Sequence, residues 1–143
     1  MIASVQTVRG CPKHCSCCSV GRTDGQQPRV RAAAAVIEEI VQLRRLGFRF
    51  VALADDNFYP VTLADLRTDK AGYRRRKAIR DERFALMAQL AKLPSDMVFF
   101  TQITMEAAED REYLDAMGRA RMACRAIARR PSMRPRRWPS RPT

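Results

Sequence analysis

The stretch that decides the fold is Phe48-Arg49-Phe50-Val51-Ala52-Leu53-Ala54, which is followed at once by Asp55-Asp56-Asn57. Its nearly continuous apolar character predicts a strand that is covered on both faces, as in a parallel sheet. The abrupt change to acidic and amide side chains marks the end of this strand. Because parallel α/β folds build their sites at the carboxyl ends of strands, the junction is a candidate functional site.

Two more strands accompany this one in the sequence. Residues 4–8 are rich in β-branched side chains and stop at Arg9-Gly10, and residues 97–103 form a second apolar run. Helical spacing of apolar residues predicts helices at about 32–46, from about 74 to just before Pro94, and at 105–117. The pattern is βα repeated three times, and connections of this length join parallel strands. We therefore expect an α/β fold with a parallel sheet.

Four of the five cysteines lie directly after the first predicted strand, in Cys11-Pro12-Lys13-His14-Cys15-Ser16-Cys17-Cys18. Cys11, Cys15 and Cys18 have the spacing C-x3-C-x2-C, and soft thiolates select zinc, copper(I) or an iron–sulfur cluster. Structural zinc usually takes two separated ligand pairs, and no second pair follows, although His14 could be a fourth ligand. A [4Fe–4S] cluster on three cysteines leaves one iron open to a substrate, which favours a chemical role.

Positive charge is concentrated at the end of the chain. The net charge is +12, of which residues 121–143 carry +8 through eight arginines and no acid. We expect a domain over residues 1–120 and a disordered Arg- and Pro-rich tail over residues 121–143, with no fourth strand. The tail has one aromatic residue, Trp138, and so lacks a row of stacking side chains. We therefore expect no nucleic-acid partner.

The chain has no run of 18 apolar residues, so we expect no membrane span. Its first ten residues lack the charged start and apolar run of a secretory signal. Both features predict a cytoplasmic location, where thiols stay reduced and grouped cysteines bind metals or act in catalysis.

With these parts in place, roughly residues 4–120 resemble the radical SAM (S-adenosylmethionine) superfamily. The resemblance is greatest to the branch that often carries a cobalamin-binding domain. The matching residues are the cysteine stretch with its flanks, Arg9-Gly10 and Ser19-Val20, then Glu38-Glu39, Asp55-Asp56-Asn57-Phe58 and Gln102 on the third strand.

The resemblance implies that Cys11, Cys15 and Cys18 hold a [4Fe–4S] cluster whose open iron is chelated by S-adenosylmethionine. A reductant such as flavodoxin or ferredoxin would then drive cleavage to a 5′-deoxyadenosyl radical, which abstracts hydrogen from a small-molecule substrate. The segment Asp55-Asp56-Asn57 would contact the amino group of S-adenosylmethionine, or else form only a turn. Gln102 would point at the cofactor or satisfy backbone groups.

The sequence also departs from the family pattern. Cys17 replaces the usual aromatic residue before the last cysteine, and we expect it not to be a ligand. The family barrel has six βα units, whereas this chain predicts about three. We therefore expect a partial TIM-type (βα) barrel, the amino-terminal half of a radical SAM core, with no cobalamin domain before Met1. The alternatives are a non-catalytic zinc or iron–sulfur module and an inactive truncated product. Substrate and reaction type stay open.

Overall fold

The structure, a computed structural model, describes residues 1–16, 18–68 and 70–127. The strands in chain order are β1 (Ile2–Val5), β2 (Val8–Arg9), β3 (Arg29–Val30), β4 (Phe50–Leu53), β5 (Val98–Thr104) and β6 (Met122–Ile127). The α-helices are α1 (Val20–Thr23), α2 (Ala33–Arg45), α3 (Leu63–Thr68), α4 (Tyr73–Lys92) and α5 (Arg111–Arg119). A 3-10 helix, Met105–Glu109, lies between β5 and α5. No helix in these ranges is long and apolar enough to cross a membrane.

The main sheet has the order β1-β4-β5-β6, and every pairing in it is parallel. The register places Val5 beside Leu53 and Ala52 beside Phe100. Strands β2 and β3 form a separate antiparallel pair that flanks the cysteine loop, residues 10–19. The predicted α/β fold with a parallel sheet is therefore confirmed. The carboxyl ends of β1, β4 and β5 lie at one edge, where the candidate residues follow.

The strand β6 corrects the expectation that no fourth strand follows residue 120. Met122–Ile127 pairs with β5 along its whole length, from Phe99 beside Met122 to Thr104 beside Ile127. Arginines and prolines dominate the composition of residues 121–143 and conceal this short apolar run, which only Arg125 interrupts. Residues 128–143 lie outside the described residues, and the disorder expected for them stays a prediction.

Two predicted elements are divided in the structure. The first strand ends at Val5, and the chain pairs again only at Val8–Arg9. The predicted third helix is broken at Asp110, whose carboxylate accepts a hydrogen bond from the amide of Tyr113 at 3.1 Å and so caps α5. In both places an aspartate side chain, Asp55 or Asp110, binds backbone amides that regular structure leaves free.

Only one face of the sheet is covered in the described part of the chain. Along β5 the buried side chains are Phe99, Thr101 and Ile103, whereas Gln102 is exposed and Phe100 half-buried. Successive side chains of a strand alternate between faces, so Phe99, Thr101 and Ile103 share one face of the sheet. Helices α2, α4 and α5 pack on this face. The expectation that the apolar strand is covered on both faces is therefore wrong here. Half-buried Phe50 and Ala52 of β4 lie on the open face.

A buried ion pair joins α4 to the start of α5. Arg80 donates two hydrogen bonds to Asp110, one from Nη2 to Oδ1 at 3.1 Å, and the hydroxyl of Tyr59 donates to Oδ2 at 2.8 Å. Burial alone would raise the pKa of Asp110, but the bonds from Arg80 and Tyr59 outweigh it and hold the pKa below its usual value. The carboxylate thus ties α4, α5 and the loop after β4 together.

Replacing this carboxylate should destabilise the fold strongly. Asp110→Ala leaves the buried Arg80 guanidinium without its partner and removes the cap of α5, so we expect a loss of about 3–5 kcal/mol in the free energy of unfolding. Urea unfolding followed by circular dichroism measures this loss.

The matched control is Asp81→Ala, which removes the exposed pair between Lys77 and Asp81 on the same helix α4. Exposed pairs are screened by solvent, so this variant should unfold at the wild-type midpoint. Equal effects of the two substitutions would contradict a structural role for the buried pair.

Candidate functional site

The site begins where β2 meets the cysteine loop. Gly10 has a φ of +87°, and a Cβ there would lie 2.9 Å from the carbonyl oxygens of Gly25 and Gln27, so only glycine fits. The amide of Gly10 donates to Oδ2 of Asp56 at 2.7 Å, and the amide of Cys11 donates to the Gly25 carbonyl at 3.1 Å. The backbone amides of Gly10 and of Cys11, the first candidate ligand, are therefore both held by hydrogen bonds.

Asp55 binds the backbone that leads into this loop. Its Oδ1 accepts from the amides of Thr7 and Val8, the latter at 2.8 Å, and its Oδ2 accepts from the hydroxyl of Thr7. The side chain is buried, and burial raises the pKa of its carboxyl although these bonds and the charge of Arg83 oppose the shift. Both oxygens of Asp55 are therefore engaged with its own chain.

Arg83 on α4 supports the same place from the core. Its side chain has no solvent exposure, and Nη1 donates to the hydroxyl oxygen of Thr7 at 2.6 Å. Its guanidinium lies 5.4 Å from the ring centroid of Phe58, and burial lowers its pKa from the ordinary value. Sequence reasoning missed Arg83. The available signal was a charged residue at helical spacing among the buried positions Ile79, Leu86 and Leu90.

The three predicted ligands lie on one irregular loop, with Cys11 half-buried and Cys15 and Cys18 exposed. Burial is the main cause that raises the pKa of the Cys11 thiol, and the charges of Cys15 and Cys18 add to it. The backbone of Lys13 and the side chain of Asn57 oppose the shift. Cys15 and Cys18 therefore lie near enough to affect the thiol of Cys11.

The structure does not bring them into a coordinating group. Within residues 1–16, 18–68 and 70–127, no three His, Cys, Asp or Glu side chains converge closely enough to hold a metal ion. The ligand set Cys11, Cys15 and Cys18 stays a prediction, and Cys17 lies outside the described residues.

Two more contacts attach the loop to its surroundings. Nζ of Lys13 lies 3.1 Å from Oε1 of Glu106, which follows β5, and Nδ1 of His14 lies 3.0 Å from Nε2 of Gln26. The first contact joins the cysteine loop to the end of a neighbouring strand. A basic residue between the first two cysteines and an acid just after a strand were visible in the sequence, but only the fold pairs them.

The other predicted contact residues have different environments. Asp56 is half-buried and uses Oδ2 for Gly10, whereas Asn57 is buried and its Oδ1 accepts from the amide of Tyr59 at 3.0 Å. The side chain of Gln102 is exposed on the open face of the sheet, and its backbone carbonyl accepts from the amide of Phe58 at 2.9 Å. The segment after β4 is therefore bound to both neighbouring strands.

Two curated proteins are similar in sequence, and no protein-family profile matches the chain. An uncharacterized methyltransferase of Synechocystis sp. is 30% identical over 115 residues, which cover 80% of this chain and 19% of that protein. The tRNA-2-methylthio-N(6)-dimethylallyladenosine synthase of Chlorobium chlorochromatii is 40% identical over 57 residues, which cover 40% of this chain and 12% of that enzyme. The chain thus spans a fifth or less of these relatives.

Two solved structures of the radical S-adenosylmethionine methyltransferase TsrM from Kitasatospora setae share the fold. Both have a TM-score of 0.63 and 18% identity, and both superpose on 89% of this chain. One contains tryptophan and the analogue aza-SAM, and this chain covers 21% of it. The other contains cobalamin and a [4Fe–4S] cluster, and this chain covers 20% of it. The fold likeness is therefore to one part of a larger enzyme.

The hydrogen bonds of Asp55 generate a testable prediction. Asp55→Ala leaves two buried amides and the Thr7 hydroxyl without an acceptor, so we expect a loss of about 3 kcal/mol in the free energy of unfolding. Faster hydrogen exchange at the amides of Thr7 and Val8, measured by NMR, should accompany the loss.

Asp56→Ala is the matched control, because it removes one half-buried hydrogen bond, to Gly10, and should cost about 1 kcal/mol. Unchanged exchange at Thr7 and Val8 in Asp55→Ala would show that Asp55 does not hold the start of the loop.

Proposed function

We propose, from a resemblance to the radical SAM superfamily that these likenesses support, that this chain is part of a radical SAM core. In this proposal Cys11, Cys15 and Cys18 bind a [4Fe–4S] cluster, and S-adenosylmethionine binds beside it. The observation that carries the proposal is the position of the C-x3-C-x2-C loop. It lies at the carboxyl edge of a parallel sheet and is held there by Asp55 and Asp56.

The residues present fit such a cluster chemically. Three soft thiol ligands share one loop, and the charges of Cys15 and Cys18 act on the thiol of Cys11. A buried amide nitrogen, Nδ2 of Asn57, has no hydrogen-bond partner in the described part of the chain. A donor of this kind suits a site that receives negative charge. When bound, this cofactor pair supplies one-electron cleavage of the sulfonium, which yields a 5′-deoxyadenosyl radical.

The hydrogen bonds of Asp55, Asp56 and Asn57 show which of these predicted S-adenosylmethionine contacts has an acceptor to offer. Both oxygens of Asp55 accept bonds from Thr7 and Val8, so Asp55 positions the loop. Oδ1 of Asn57 accepts from Tyr59, and the atom of Asn57 without a partner among the described residues is Nδ2, a donor that cannot accept from an amino group. Among the described residues Asp56 uses only Oδ2, for Gly10, which leaves Oδ1 for another donor. We therefore assign the contact with the amino group of S-adenosylmethionine to Asp56.

The open face of the sheet is the proposed side of substrate approach. Gln102, Phe100 and Ala52 lie on this face, beside the edge that carries the cysteine loop. The relatives include two methyltransferases, so we propose methyl transfer to a small molecule, with cobalamin as a further cofactor of the complete enzyme. Cleavage needs an external electron donor, such as flavodoxin or ferredoxin. The cytoplasm, where thiols stay reduced, is the proposed location.

Single cysteine substitutions test the ligand set. After anaerobic reconstitution with iron and sulfide, Cys11→Ala, Cys15→Ala and Cys18→Ala should each lose most of the bound iron and acid-labile sulfide, because three thiolates are the minimum set. Cys17→Ala is the matched control and should keep both at wild-type levels. Metal and sulfide analysis with electron paramagnetic resonance measures the outcome.

Circular dichroism of the metal-free variants separates loss of ligands from loss of fold. Cys15 and Cys18 are exposed, so their substitution should leave the spectrum unchanged. Full iron and sulfide in Cys15→Ala would refute the assignment. Stoichiometric zinc without sulfide, lost again in His14→Ala, would favour the metal-binding module instead.

A further inference from the structure

Asn57 has a fixed orientation and one unused group. Its side chain is only 2% exposed, and its Oδ1 accepts from the amide of Tyr59 at 3.0 Å. A backbone N–H can bond only to the oxygen of a carboxamide, so the opposite side of this group must be Nδ2. Among the residues that the structure describes, Nδ2 is buried and has no partner at hydrogen-bond distance. A buried donor without an acceptor costs free energy, which indicates a role.

The candidate acceptor is Cys11, the first cysteine of the loop. Asp56, next to Asn57, binds the amide of Gly10, which directly precedes Cys11. This bond places the half-buried thiol of Cys11 near the Asn57 side chain, and the effect of Asn57 on the Cys11 thiol agrees with this placement. Cys15 and Cys18 are exposed, whereas Cys11 is half-buried and Asn57 is buried.

We propose that Nδ2 of Asn57 donates a hydrogen bond to Sγ of Cys11 when this sulfur is a thiolate ligand, and thereby raises the reduction potential of the bound cluster. This inference rests on the proposed function. An N–H···S bond withdraws charge from a ligating sulfur and stabilises the reduced, more electron-rich state. Because the bond acts on one ligand of three, Asn57 is a positioning and tuning residue.

The chain contains a single asparagine, so labelling of the asparagine side-chain amide with ¹⁵N places one label, at Asn57. The first measurement uses metal-free protein. We expect the Asn57 NH₂ resonances to shift in Cys11→Ala and to stay in place in Cys18→Ala, because Cys11 is the proposed acceptor. Resonances that ignore Cys11→Ala, or that move equally in both variants, would overturn the contact.

The second measurement uses the reconstituted, reduced protein. Pulsed electron paramagnetic resonance should detect a weak ¹⁵N coupling between the Asn57 label and the cluster. Asn57→Ala should lower the midpoint potential while iron and sulfide content stay at wild-type levels. Gln26→Ala, which removes a neutral contact between the loop and its surroundings, to His14, without removing the donor, is the control and should keep the wild-type potential.

The two measurements separate this inference from the proposed function. A full cluster without ¹⁵N coupling, or with an unchanged potential in Asn57→Ala, would overturn the role of Asn57 and leave the cluster assignment standing. Failure to assemble any cluster would refute the proposed function and the tuning role with it, whereas the resonances of the metal-free protein would still decide the contact between Asn57 and Cys11.

Discussion

The hydrogen bonds of the Asp55 carboxylate are the constraint on which the site depends. They bind the amides of Thr7 and Val8, and so they end β1 and direct the chain into the cysteine loop. The next residue, Asp56, binds the amide of Gly10, and Asn57 binds Tyr59. Two consecutive aspartates after one strand thus determine the path of another strand's loop. This arrangement orders a loop that has little secondary structure of its own.

The fold accepts an energetic cost to hold this loop. The buried Asp55 carboxyl and the buried Arg83 guanidinium both have pKa values shifted against ionisation by desolvation. Thr7 links the two, because its hydroxyl donates to Asp55 and accepts from Arg83. A buried charge is tolerated only when hydrogen bonds satisfy it. Replacing one partner therefore costs more free energy of folding than the intact pair contributes. The result is a rigid start of the cysteine loop, which suits a site whose ligands must converge.

Much of the architecture follows from local pattern, and its exceptions have physical causes. The apolar run of β4 and the helical spacing of α2 and α4 predict their elements because burial decides both. The strand β6 escapes prediction because six residues of pairing lie within a segment whose composition is set by arginine and proline. The partial exposure of Phe50 and Ala52 depends on what packs on the open face of the sheet, and no local sequence pattern encodes this. Arg83 reaches Thr7 across 76 residues of sequence, so only the tertiary structure shows its role.

The central claim is that this α/β unit holds a cluster with one iron open to S-adenosylmethionine. Electron paramagnetic resonance of the reconstituted, reduced protein, recorded with and without S-adenosylmethionine, tests it most directly. We expect a [4Fe–4S] signal whose g values shift when S-adenosylmethionine is added, because the ligand binds the open iron. A cluster signal that does not respond would contradict the proposed S-adenosylmethionine site, and tight zinc in place of iron would contradict the cluster itself.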